Sequence, residues 1–131
     1  MNQALTLCLI GLAGALGALA RHGTNTATKY YFGEGFPLGT LIVNVIGCFV
    51  LGLIAHLGQQ QMPEHLKLIL GVGLMGALTT FSTFGVDTVT KFNDGEIGLA
   101  FLNVFLNLAL GFGAVWAGMT LAKSFSGAVA G

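Results

Sequence analysis

Thr79-Thr80-Phe81-Ser82-Thr83-Phe84 puts four hydroxyl groups within five positions of an otherwise apolar stretch. Ser and Thr hydroxyls compete with the backbone for its own hydrogen bonds, so a cluster of this density is expected to interrupt a helix. At membrane depth an interrupted backbone is tolerated only where it is buried in protein or lines a watery cavity. The interruption would free carbonyl oxygens, which can hold a cation, and redirect hydroxyls and amides. Phe81 and Phe84 are three apart and share one face if helical geometry persists. As a pair they read as ordinary packing. Beside a break they also allow a second reading, because the positive edge of an aromatic ring can line an anion's path without a fixed charge.

Polar residues elsewhere point to the same kind of chemistry. Asn44 lies about one helical turn beyond Thr40, and Asn103 and Asn107 are four apart with Gly111 four further on. Their side-chain amides supply N–H donors, which an anion losing its water needs. Each alone is equally readable as interhelical glue, worth about 0.6–2 kcal/mol per bond in membranes. Gly71-Val72-Gly73-Leu74-Met75-Gly76 matches GxGxxG, but it lies in an apolar run with no acidic residue suitably downstream, so it reads as a close-packed helix surface. No His, Asp, Glu or Cys set has metal-ligand or nucleophile–base spacing, and enzyme activity is not expected. His56 is placed at an interface, with His22 and His65 in loops. Cys8 and Cys48 read as small buried apolar residues.

The elements that position these residues follow from charge. Only 8% of the 131 residues are charged and 54% are hydrophobic, against about 25% charged in a soluble domain. Residues 1–20, 35–63, 68–86 and 97–122 hold no Asp, Glu, Lys or Arg, and a membrane-crossing helix needs about 20 mostly apolar residues. The expected architecture is all-α: a single membrane domain spanning 1–131, with transmembrane helices at about 5–20, 37–57, 65–86 and 97–121 and a break in the third. A signal peptide ending at Ala18-Leu19-Ala20 is disfavoured, because Met1–Ala4 carries no positive side chain. Net charge is zero, which gives no pointer to nucleic acid. Small residues four apart, such as Gly11/Ala15, Ala13/Gly17, Gly14/Ala18 and Ala114/Gly118, suit close helix approach and association with another copy. Lys67 and Lys123 on one side face Arg21, Lys29 and Lys91 on the other. With so little positive-inside bias, insertion in one orientation and in both remain open.

Four strings stand in order along these helices: Gly17-Ala18-Leu19-Ala20-Arg21, Gly39-Thr40-Leu41-Ile42-Val43-Asn44-Val45-Ile46-Gly47, Gly76-Ala77-Leu78-Thr79-Thr80-Phe81-Ser82-Thr83-Phe84, and Asn103-Val104-Phe105-Leu106-Asn107-Leu108-Ala109-Leu110-Gly111. Together they resemble the Fluc (CrcB-type) fluoride channels. The resemblance implies an antiparallel dual-topology homodimer in the bacterial inner membrane, with two fluoride pores and a structural sodium ion on the two-fold axis. It implies that the backbone carbonyls of Gly76 and Thr79 hold the sodium and that Phe81 and Phe84 line the pores through their ring edges. Asn44 would donate to fluoride near them, Ser82, Thr83, Thr40, Asn103 and Asn107 would continue the polar route, Asp87 would mark the rim, and Arg21 would be structural. His22 departs from the aromatic residue common at that position. The implied role is passive export of toxic fluoride.

Two other classes compete. A proton-coupled four-helix exporter expects a carboxylate within a span, and none of the four charge-free runs has one. A non-transporting membrane assembly protein would make the hydroxyl cluster an accident of packing.

Overall fold

The computed structural model describes residues 2–60 and 62–129, except the side chains of residues 60 and 126–129. Helix α1 covers Gln3–Phe32 and α2 covers Leu38–Gln60. The third span is composite: α3 (Glu64–Lys67), a π-helical run Leu68–Met75, α4 (Gly76–Leu78) and α5 (Phe81–Asn93). Helix α6 covers Ile97–Val129. The chain is thus all-helical, with four helical spans long and apolar enough to cross a membrane.

The helices outrun the charge-free segments. Instead of stopping near residue 20, α1 passes through Arg21-His22-Gly23 and ends twelve residues later. Arg21 is half-buried and turned inward, so its charge does not mark a helix end. The hydroxyls of Thr24 and Thr28 donate back to the carbonyls of Ala20 and Thr24, each at 2.9 Å. Gly33 ends the helix with φ 78°, its N–H donating to the Lys29 carbonyl at 2.9 Å. A left-handed residue of this kind favours glycine. Likewise α5 continues to Asn93 rather than 86 and stops before Gly95 at φ 81°. Helix α6 runs on past 121, and the hydroxyls of Thr120 and Ser124 bond back to the carbonyls of Trp116 and Thr120. The charge-free runs mark the stretches apolar enough for hydrocarbon, whereas the helices continue beyond them. At 1.5 Å per residue, a 30-residue helix is about 45 Å long, close to the full bilayer with its headgroups.

Small residues set the packing. Helix α1 lies against the π-helical run, where a Cβ on Gly73 would come within 2.7 Å of the Ile10 carbonyl oxygen and a Cβ on Gly17 would collide with that of Leu74. Helices α2 and α6 approach as closely, with Gly52 against Val115 and Gly118 against Phe49. Gly11 and Ala15, by contrast, are exposed, and a Cβ on Gly11 would meet nothing within 4 Å. Of the GxGxxG glycines, Gly73 makes the close approach, while Gly76 is exposed. A core of Val43, Met75 and Leu78, flanked by Val50, Leu51 and Leu74, fastens α2 to the third span immediately before Thr79. Many large apolar side chains remain uncovered, among them Leu12, Leu16, Phe101, Phe105, Phe112 and Trp116. Apolar patches of this extent mark a surface that meets lipid or protein rather than water.

Packing of this kind predicts a sharp contrast between glycines. Gly52→Val should lower the thermal unfolding midpoint in detergent, since overpacking costs about 1–3 kcal/mol. Gly113→Ala, where an added Cβ meets nothing within 4 Å, should leave the midpoint unchanged.

Candidate functional site

Between α4 and α5 the backbone leaves the helix for two residues. Thr79 has φ −78°, ψ 157° and Thr80 has φ −156°, ψ 114°, both extended. The Thr79 amide and hydroxyl both donate to the Met75 carbonyl, at 3.0 and 2.9 Å. In an uninterrupted helix the Thr80 amide would donate to the Gly76 carbonyl four residues earlier. It donates instead to Asn44 Oδ1 at 2.8 Å, and Asn44 Nδ2 donates to the Thr80 carbonyl at 3.2 Å. One side-chain amide thus serves both backbone groups of an extended residue, as a neighbouring strand would. Thr80 then caps α5: its hydroxyl accepts from the Thr83 amide at 3.1 Å and donates to the Thr83 hydroxyl at 3.0 Å. The Ser82 hydroxyl lies 3.3 Å away.

One face of α2 meets the whole length of this segment. Thr40, Asn44 and Gly47 recur at helical spacing and touch Asp87, Thr80 and Thr79 in turn. The Thr40 hydroxyl donates to Asp87 Oδ2 at 2.8 Å. Gly47 sits against the Thr79 methyl so closely that a Cβ there would collide with it. Across from α2, Asn44 Nδ2 also donates to Asn107 Oδ1 at 3.0 Å. Asn107 Nδ2 donates to the Asn103 carbonyl and Oδ1, both at 3.0 Å, and Asn103 Nδ2 donates to Thr88 Oγ1 at 2.9 Å. Thr88 in turn donates to the Phe84 carbonyl at 2.8 Å. Asn103 is wholly buried. Thr88 was not singled out by sequence. A hydroxyl on the α5 face one turn past Phe84 was the signal available.

The remaining candidates divide between a cavity and an exposed face. A cavity of about 460 Å³ opens between the end of α1, residues 33–37, the start of α2 and α5. Thr40, Thr83 and Asp87 line it together with Lys29, Glu34, Lys91 and Asp94. Lys29 pairs with Glu34 at 3.2 Å, and Lys91 pairs with Glu96. Asp87 lies inside α5, so the third helical span does hold a carboxylate, contrary to the reading from charge-free runs. The Phe81 and Phe84 rings are 5.5 Å apart and tilted by 51°. Phe84 is half-buried, while Phe81 is 82% exposed and Ser82 is exposed beside it. A single chain therefore covers only part of the surface running from Thr83 past the two rings.

A metal at this break would rely on backbone oxygen. Among the described residues, no group of three or more His, Cys, Asp or Glu could hold one. Gly76 is exposed, carries no side chain to shield its carbonyl, and has lost the Thr80 amide to Asn44. The Thr79 carbonyl accepts from Arg21 Nη1 at 3.3 Å and keeps a second lone pair. Carbonyl oxygens of this kind suit a hard cation, so these two residues fit such an ion.

The capping geometry gives a direct expectation. Thr80→Val should cost about 1 kcal/mol, the usual worth of an N-cap, and lower the thermal midpoint in detergent. Thr80→Ser, which keeps the hydroxyl, should restore it.

Comparison with known proteins completes the description. Residues 8–119 match the family described as CrcB-like protein, Camphor Resistance (CrcB). The fluoride-specific ion channel FluC of Dehalococcoides mccartyi is 44% identical over 117 residues, covering 88% of this chain and 90% of that protein. The protein of the same name from Shewanella sp. strain ANA-3 is 44% identical over 119 residues, covering 90% and 96%. That from Shewanella putrefaciens is 45% identical over 117 residues, covering 88% and 94%.

Proposed function

The chain belongs to the CrcB-like protein family, and on that premise we propose that it is a fluoride-selective channel that lets fluoride leave the cell passively and so limits its toxicity. The family consists of fluoride ion channels and not enzymes. The observation that carries the reading within this chain is the extended Thr79-Thr80 segment. It lies in a span otherwise apolar enough to cross a membrane, and it is followed at once by Phe81, Ser82, Thr83 and Phe84.

Fluoride enters the cavity beside Lys29 and Lys91, passes Thr40, whose hydroxyl is held by Asp87 at the rim, and exchanges water for the hydroxyl of Thr83. It then moves along the Ser82 side of α5 past the ring edges of Phe84 and Phe81. A ring edge is weakly positive and gives an anion partial compensation for lost water without trapping it. Asn44, Asn103 and Asn107 border this route from α2 and α6. The outer wall is supplied by a second, antiparallel copy, which gives two pores per homodimer. The uncovered ring of Phe81 and the outward stripe of Gly11, Ala15 and Ala18 support this arrangement, because small residues let helix backbones approach closely. At the same junction the Gly76 and Thr79 carbonyls of both copies are the ligands available to a structural sodium ion. A sodium ion bound there would add positive potential that draws anions towards both pores. On this reading the protein works in the plasma membrane of a bacterium as a multi-pass protein.

Purified protein in liposomes should release fluoride down its gradient and hold back chloride. Equal release of both, or release only under a proton gradient, would remove the channel reading. Phe81→Ile and Phe84→Ile should each cut fluoride efflux by at least about tenfold, as expected when an interaction worth about 1.4 kcal/mol is lost. Both variants should remain assembled in gel filtration.

A further inference from the structure

The three asparagines were read from sequence as donors to a passing anion, yet both amide hydrogens of Asn44 and of Asn107 are committed, and Asn103 Nδ2 donates to Thr88 Oγ1. Asn44 Nδ2 spends its two N–H bonds on the Thr80 carbonyl and Asn107 Oδ1. Asn107 Nδ2 spends its own on the carbonyl and Oδ1 of Asn103. The direction of the chain is locked at both ends by groups that cannot reverse. The Thr80 N–H can only donate to Asn44, and the Asn103 backbone carbonyl can only accept from Asn107. The Thr88 proton is committed to the Phe84 carbonyl, so the Thr88 oxygen receives Asn103 Nδ2. Turning either the Asn44 or the Asn107 amide over would put donor against donor and acceptor against acceptor.

The path of these bonds closes on itself. From Thr80 it crosses to α2 at Asn44, to α6 at Asn107 and Asn103, and back to α5 at Thr88, ending on the Phe84 carbonyl. It therefore grips both ends of the first turn of α5, the turn that carries Phe81 and Phe84. We infer that Asn44, Asn107 and Asn103 form one positioning unit that sets the backbone of Thr80 and the first turn of α5, acting on permeation through that turn rather than by contact with the ion. Bonds that polarise one another in a low-dielectric interior gain from being linked in one direction. Removing a member far from Thr80 therefore weakens the grip on it. Only the flux part of this inference rests on the channel reading.

Hydrogen exchange of the reconstituted protein, read on peptides covering residues 79–84, tests it together with fluoride efflux from liposomes. Asn44→Ala should speed exchange in that segment by about tenfold, the effect of about 1.4 kcal/mol of lost local stability. Peptides from the α2–α6 contact around residues 112–118 should keep wild-type exchange. Asn107→Leu leaves the Asn44 amide in place and even frees one of its hydrogens. It should still speed exchange at 79–84 and lower fluoride efflux. Wild-type exchange at 79–84 in Asn107→Leu, or loss of efflux in Asn44→Ala with unchanged exchange there, would overturn the inference. Faster exchange in both variants, in a protein whose wild type passes no fluoride, would support the positioning unit and count against the channel reading alone.

Discussion

Two consecutive extended residues in a membrane span leave backbone groups that neither water nor the helix can satisfy. Each unpaired group in hydrocarbon costs several kcal/mol, so the rest of the fold is constrained to supply partners at Thr79 and Thr80. Asn44 does so from α2 by serving both the amide and the carbonyl of Thr80. Arg21 does so from α1 by donating to the Thr79 carbonyl. Gly47 makes the approach possible, because no side chain could stand between α2 and the Thr79 methyl. Three helices are thus fixed around one short stretch of backbone. The core of Val43, Met75 and Leu78 holds α2 and the third span together immediately before it.

The same stretch explains why polar and aromatic residues sit side by side here. Once Thr80 ends the helical ladder, its hydroxyl starts the next helix by capping Thr83, and the new helix presents Phe81, Ser82 and Phe84 in its first turn. The Gly76 carbonyl, on an exposed residue, no longer receives the Thr80 amide that an unbroken helix would give it. Backbone oxygens and weakly positive ring edges therefore arise from one local event, a few residues apart. Neither requires a carboxylate at the break.

Much of this could be read before the fold was known, but unevenly. Charge-free runs located four membrane spans because hydrocarbon excludes Asp, Glu, Lys and Arg. The runs misplaced the helix ends, because Arg21 and Asp87 remain helical and turn their side chains to protein partners. The hydroxyl cluster drew attention to 79–84 through local chemistry alone. Its partner was not legible: Asn44 and Thr80 are 36 residues apart, and no periodicity links them. The stripe of Asn103 and Asn107 was visible as a face, but its bonds to Asn44 and Thr88 depend on how α6 packs between α2 and α5. The π-helical run Leu68–Met75 also escaped notice. Its glycines read equally well as an ordinary packed helix, and the close approaches of Gly73 to Ile10 and of Gly17 to Leu74 tie that register to α1.

On the proposed reading, fluoride moves passively along the surface that begins at this break. The most direct test is the reversal potential of the purified protein in a planar bilayer under a fluoride gradient, with chloride equal on both sides and pH varied independently. Reversal is expected at the fluoride equilibrium potential, unmoved by a pH gradient and unchanged in Asp87→Asn. Reversal that follows the proton gradient, or that stays at zero while fluoride differs across the membrane, would contradict it.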